Sequence, residues 1–277
     1  MSIRFRQRLA LSRVWAAGLA VAVCSAGTAA TTPASSSEDP IEKGLAIATE
    51  ADRRDQGFGD SSANLTMLMV LSEDDIVRRR MRQLTLEVQQ DGDKSIMVFD
   101  RPRDLKGTAI LTHTHKVDSD DQWLYLPALK RVKRLSSADK SGPFMGSEFA
   151  YEDLSSAEVE KYRYRFLRNE TVDGEAMFVV ERVPVDQKSG YSRQITWVDE
   201  AHFRLRRVDY YDRKGDLLKT MELLDYRRYL ERYWRASEMV MTNHQTGRST
   251  ALLFQNFMFK VGLQDKHFTR DALSRIR

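Results

Sequence analysis

Leu65-Thr66-Met67-Leu68-Met69-Val70-Leu71 is apolar at nearly every position, and Leu252-Leu253-Phe254-Gln255-Asn256-Phe257-Met258-Phe259 repeats that character near the far end of the chain. Both runs are too short to span a bilayer, which takes roughly 20 apolar residues in a helix. A strand with one solvated face alternates apolar and polar side chains, so a strand without alternation has both faces covered. Two interiors satisfy that condition. One is a doubly packed core; the other is the wall of a cavity lined by Met and Phe, side chains that adapt to flexible apolar ligands. Periodicity does not separate them, and Leu65, Met67, Met69, Leu71, Phe254, Phe257 and Met258 stand as the cavity candidates of these two runs.

Outward from this segment the period stays at two. Strands are expected near 62–71, 76–90, 95–100, 108–117, 121–126, 160–171, 175–184, 191–199, 203–211, 216–229, 234–243 and 249–260. Asp91-Gly92, Asp173-Gly174 and Lys214-Gly215-Asp216 mark tight hairpins, where glycine tolerates positive φ. No helical pattern alternates with the strands, which excludes repeated βαβ units and favours an antiparallel meander. One helix precedes it, with Asp39 as N-cap, Pro40 in the first turn, and Ile41, Leu45 and Ala48 on one face to about Arg54. A last helix follows, with Thr269 as N-cap before Arg270 to Ile276.

The first thirty residues read as a cleavable secretory leader: Arg4, Arg6, Arg8 and Arg13, an apolar stretch from Val14 to Val23, then Gly27-Thr28-Ala29-Ala30. Val23 before Cys24 fits lipid attachment poorly, so the only cysteine is expected to leave with the leader. Residues 31–40, rich in Ser, Thr and Pro, read as a flexible linker, and 41–277 as one β domain. The 44 Lys+Arg against 40 Asp+Glu become 40 against 40 once the leader arginines are removed. A neutral exported chain gives no reason to expect nucleic acid. Without cysteine, its stability in an oxidising compartment rests on packing.

Few residues of the chain point to chemistry. His113 and His115 share a strand face near Asp118, Asp120 and Asp121, but no third ligand is placed, so no metal is assigned. There is no Gly-x-Ser-x-Gly elbow and no Gly-rich phosphate loop. Glu152-Asp153 offers an acid and a base with nothing to orient a substrate, and neither enzyme activity nor a cofactor is expected. Two basic clusters, Arg78-Arg79-Arg80 with Arg82 and Lys130-Arg131 with Lys133-Arg134, are either solvated faces or docking sites for anionic head groups or an acidic partner.

The second cluster ends the stretch Trp123-Leu124-Tyr125-Leu126-Pro127-Ala128-Leu129-Lys130-Arg131-Val132-Lys133-Arg134. It is followed by Ser141-Gly142-Pro143-Phe144-Met145-Gly146-Ser147-Glu148-Phe149-Ala150-Tyr151-Glu152-Asp153-Leu154. With Phe99-Asp100-Arg101-Pro102-Arg103-Asp104-Leu105-Lys106-Gly107-Thr108 upstream, and Trp197-Val198-Asp199 and Tyr210-Tyr211-Asp212-Arg213-Lys214-Gly215 downstream, this closely resembles the outer membrane lipoprotein-sorting proteins of the LolA-like superfamily.

The resemblance implies a mainly β fold, a curved antiparallel sheet forming an incompletely closed LolA-like β-barrel with helices covering its concave face. It implies a periplasmic carrier that binds lipid or lipoprotein acyl chains in a hydrophobic cavity and moves them toward the outer membrane, with an inner-membrane lipid exporter of the resistance-nodulation-division type as partner. The alternative is a docking module for such a transporter that carries no cargo. A monomer is expected. On this reading Trp123, Tyr125 and Phe149 join the cavity candidates, Ser136 to Ser147 forms a mobile gate carrying Phe144 and Met145, and Lys130, Arg131, Lys133 and Arg134 meet head groups or the partner. The other reading of Phe144, Met145 and Phe149 is a plug at the barrel end.

Overall fold

The computed structural model describes residues 39–136 and 139–276, so the leader, most of the linker and Cys24 lie outside the described residues. The first element is α1 (Pro40–Asp55), capped where expected: Asp39 accepts a hydrogen bond from the Ile41 amide at 3.0 Å. It ends where Gln56 turns extended and Gly57 takes a φ of +94°. The amides of Gly57 and Gly59 donate to the Glu87 carboxylate at 2.5 and 2.6 Å, fixing the chain's entry into the sheet.

Thirteen strands follow: β1 (Asp60–Val70), β2 (Ile76–Leu86), β3 (Lys94–Arg101), β4 (Ala109–His113), β5 (Asp121–Leu126), β6 (Arg131–Arg134), β7 (Tyr162–Val172), β8 (Glu175–Pro184), β9 (Tyr191–Asp199), β10 (Leu205–Asp212), β11 (Leu217–Tyr229), β12 (Tyr233–Asn243) and β13 (Ser249–Phe259). They form one antiparallel sheet in the order β6-β5-β4-β3-β2-β1-β13-β12-β11-β10-β9-β8-β7. The twelve expected strands are all present, with those expected over 76–90 and 108–117 ending early, at Leu86 and His113. The addition is β6, whose Arg131-Val132-Lys133-Arg134 is exposed throughout and so carries no alternation to reveal it. The C-terminal helix α2 (Arg270–Leu273) is shorter than expected, but its cap is as read: Thr269 Oγ1 accepts from the Ala272 amide at 3.1 Å.

The sheet is open yet strongly curled. Leu124 on β5 and Tyr210 on β10 belong to one buried cluster, although eight strand spacings separate them, roughly 38 Å on a flat sheet. At one rim the two ends nearly meet: Lys161, just before β7, pairs with Asp120, just before β5, and Ser119 donates to Asp186 at 3.3 Å. The edge strands β6 and β7 do not pair with each other, so the barrel stays incompletely closed.

Register decides which side chains enter the concave face. Leu65, Met67 and Met69 point inward with Met81, Phe99, Ile110 and Leu124 on one flank and Leu252, Met241, Met221 and Tyr210 on the other. On the opposite face of β1, Leu68 is also buried, so both faces are covered as the missing alternation requires. Helix α1 covers the concave face over β7 to β9, where Ile47 meets Tyr164, Val180 and Val198. It lies so close that a Cβ on Gly44 would stand 2.7 Å from the Phe166 amide nitrogen. The helix α2 packs on the convex face instead, with Phe268 and Leu273 against Ile96, Val98 and Leu111.

One turn differs in mechanism from its sequence reading. Asp173-Gly174 has φ of +52° and +81°, as its hairpin needs, whereas Gly92 has no positive φ. A Cβ at Gly92 would come within 2.6 Å of the Thr114 carbonyl carbon, so glycine is required there by close backbone approach.

Candidate functional site

The connection from β6 to β7, residues 135–161, must travel from one sheet edge to the other, and it does so across the concave face. Three 3-10 turns, Phe144–Gly146, Tyr151–Leu154 and Val159–Lys161, fold it into a compact cover. Phe144 and Phe149 are almost fully buried, with the Phe144 ring 5.9 Å from Phe99 and 5.4 Å from Tyr151. Met145 is partly buried in the left-handed region, and its carbonyl accepts from Arg79 Nη1 at 2.6 Å. Ser137 and Ala138 of the expected gate lie outside the described residues.

Polar anchors tie this cover to the sheet. Lys219 of β11 points inward, 5% exposed, and donates to Asp153, 2% exposed, at 2.7 Å and to the Glu148 carbonyl at 3.0 Å. The Tyr191 hydroxyl donates to the other Asp153 oxygen at 2.8 Å. Removing one partner of such a buried pair strands a charge and costs about 3–5 kcal/mol. Glu152 accepts from Ser189 Oγ at 2.8 Å and from the Gly190 amide at 2.9 Å, and burial pushes its carboxyl up to about 7. Glu148 accepts from Asn243 at 2.7 Å, and its amide donates to Thr250 at 3.1 Å. Glu152 and Asp153, which the sequence offered as an acid and a base, therefore serve as anchors for the cover.

Beside the cover the concave face opens into a cavity of about 920 Å³. Met97, Met221, Leu223, Met239, Leu252, Phe254 and Phe257 of the sheet line it, with Phe149 and Leu154 from the cover. A second lobe of about 890 Å³ lies between the C-terminal half of α1 and strands β8 to β12. It is somewhat more polar, lined by Asp52, Arg54, Asp93, Arg204, Arg228 and Arg232 among others. Burial raises the Asp52 and Glu158 carboxyls there and pushes Asp93 up to about 7. The lobes adjoin: Arg182, Leu205, Tyr226 and Trp234 line both.

The candidate residues divide by position. Phe254 and Phe257 line the apolar lobe, stacked with centroids 5.6 Å apart. Leu65, Met67 and Met69 face the same side but lie in the closed core, and Leu71 is partly buried against it. Met258 is not in the cavity. It is 56% exposed, because a bulge in β13, with Asn256 at φ +53°, resets the alternation so that Phe254 and Phe257 share a side and Met258 faces out.

Trp123 and Tyr125 are also displaced from the expected wall. In β5 the inward positions belong to Gln122 and Leu124, so Trp123 and Tyr125 fall on the convex face beneath the C-terminal segment. Lys130 ends a 3-10 turn in the left-handed region, and Arg131, Lys133 and Arg134 project from the edge strand, with Arg134 paired to Asp121.

His113 and His115 do not converge. Burial lowers His113, whose Nε2–H donates to the Phe268 carbonyl at 2.7 Å. Burial acts against His115 as well, but the Asp91 carboxylate at 2.7 Å, with Asp121 at 3.5 Å, raises it on balance. Residues absent from the sequence reading are Lys219 and Arg182, each a cation at the inward phase of an otherwise apolar strand. That phase mismatch was the available signal.

A family profile described as an uncharacterized protein matches residues 91–275. An outer membrane lipoprotein-sorting protein domain from Vibrio parahaemolyticus is 54% identical, with a TM-score of 0.84 over 85% of this chain and 100% of that one. A DUF1329 family protein from Desulfovibrio piger is 30% identical, with a TM-score of 0.81 over 85% of this chain and 100% of that one. A LolA superfamily protein from Nitrosomonas europaea shares the fold at 24% identity, with a TM-score of 0.68 over 82% of this chain and 98% of that one. No curated protein matches the chain.

Proposed function

This chain belongs to the family of the outer membrane lipoprotein-sorting protein domain to which it is 54% identical, and we infer that it is a periplasmic carrier of the LolA-like kind for lipid or lipoprotein acyl chains. The observation that carries the reading is the lobe of about 920 Å³ left open on the concave face, with an apolar sheet floor of Met97, Met221, Leu223, Met239, Leu252, Phe254 and Phe257. A cavity of that size and lining suits a flexible apolar ligand. Each CH2 taken from water into such a lobe is worth about 0.8 kcal/mol, which is the barrier an exposed acyl chain faces in an aqueous compartment. Carriage needs reversible access and different affinities at donor and acceptor, with no nucleophile and no cofactor. The exposed basic edge at Lys130, Arg131 and Lys133 gives the carrier a surface for a head-group layer or for an inner-membrane exporter of the resistance-nodulation-division type.

The direct experiment is native mass spectrometry of protein purified without detergent, followed by reloading of the delipidated protein with a labelled fatty acid. We expect co-purified acyl lipid and saturable reloading. Ala236→Trp, which fills the lobe from β12, should abolish reloading in protein that remains folded. A folded wild-type protein that arrives empty and takes up no acyl chain would support the cargo-free docking module instead.

A further inference from the structure

Arg182 of β8 lines both lobes, at the place where the apolar cavity meets the polar one. Its Nε donates to Gln194 Oε1 at 2.7 Å, and its guanidinium carbon lies 4.6 Å from the Tyr162 ring centroid, so the side chain is held in position from two sides. No carboxylate among the described residues lies within ion-pairing distance of it, and none of their acceptors engages its two terminal nitrogens.

Several other cations of the lobes are paired within the protein, Arg54 with Glu50 and Lys161 with Asp120 among them. Arg204 pairs with Asp199 at 2.7 Å and Arg235 pairs with Asp55, while Lys219, beneath the cover and outside the lobes, pairs with Asp153. Two acids of the cover are committed as well, Asp153 to Lys219 and Tyr191, and Glu152 to Ser189 and Gly190. A guanidinium fixed in the wall of the lobe, with its terminal nitrogens unpaired by the described residues, can offer both of them to an anion on a ligand. Its planar fork of donors matches a carboxylate or a phosphate.

We propose that Arg182 binds the anionic head of the cargo, so that the ligand class is an acyl lipid bearing a carboxylate or phosphate, its chain running into the lobe lined by Met221, Leu223, Met239, Leu252, Phe254 and Phe257. This rests on the carrier reading and adds to it a charge and an orientation: head at the junction of the lobes, tail under the cover.

The test uses delipidated full chain and calorimetric titration with palmitate, with its methyl ester, and with inorganic phosphate alone. Wild type should bind palmitate at least about 10-fold more tightly than the ester, the scale of one charge-assisted hydrogen bond. Arg182→Gln should bind both equally, at the ester's wild-type affinity, and Arg182→Lys should keep part of the preference. Equal affinities in wild type, or a preference that survives R182Q, overturns the head-group role while leaving the carrier intact. Inorganic phosphate binding as tightly as palmitate overturns it in favour of a small-anion site. If wild type binds neither palmitate nor ester, the carrier reading fails and this inference fails with it. Should R182Q not fold, a reduced preference in R182K supports the proposal and an unchanged one overturns it.

Discussion

Glu152 shows how a single buried carboxyl couples this fold to pH. It is desolvated beneath the cover while accepting from Ser189 and Gly190, and its carboxyl rises from 4.5 to about 7. The folded protein therefore holds this proton more tightly than the unfolded chain does. Its contribution is full below about pH 4.5, declines as pH rises toward 7, and is constant beyond. Asp93, pushed to about 7 by burial, acts in the same direction, whereas Glu50 and Asp91, lowered to about 2, lose their contribution only in stronger acid. Urea unfolding at pH 5 and pH 8 should find Glu152→Gln more stable than wild type at pH 8 and close to it at pH 5. An unchanged pH dependence in that variant would show that Glu152 is not the titrating group. None of this was legible in Glu152-Asp153 as a dipeptide, because burial comes from the segment's path across the sheet and not from its neighbours in the chain.

At the scale of elements, alternation located twelve strands because each buries at least one face, and the period of side-chain burial in a strand is two. It missed β6 for the same reason, since a strand exposed throughout has no buried period to read. It also misplaced Met258, because a one-residue bulge inverts every later side chain of the strand. The cover is the element whose role is most exposed to test. Phe144→Ser removes a ring that is 0% exposed and should cost roughly 3–5 kcal/mol, the range for emptying a buried Phe site. If the cover is also a gate, fatty-acid exchange measured by stopped flow should become several-fold faster in that variant. Lost stability with an unchanged exchange rate would leave Phe144 as a core filler and end the gate.

For the molecule as a whole, the open barrel and its basic edge set the expected behaviour at a membrane surface. Lys130→Glu, Arg131→Glu and Lys133→Glu together change exposed side chains, so each should alter unfolding free energy by no more than about 0.5 kcal/mol. Transfer of labelled lipid to anionic vesicles should nevertheless slow, and wild-type transfer should lose its advantage at high salt, where surface charges are screened. Equal transfer rates at low salt would remove the edge from the docking surface. Meander topology and a family likeness were both present in the linear order of residues, because short-range periodicity and local motifs carry them. The cavity was not. Whether Met and Phe on an inward face pack against one another or leave a lobe depends on where the 135–161 connection lands and how far the sheet curls. Arg182 at the junction of the lobes, Lys219 beneath the cover, and Trp123 and Tyr125 on the far side of the sheet follow from the same long-range register, which only the closed tertiary structure decides.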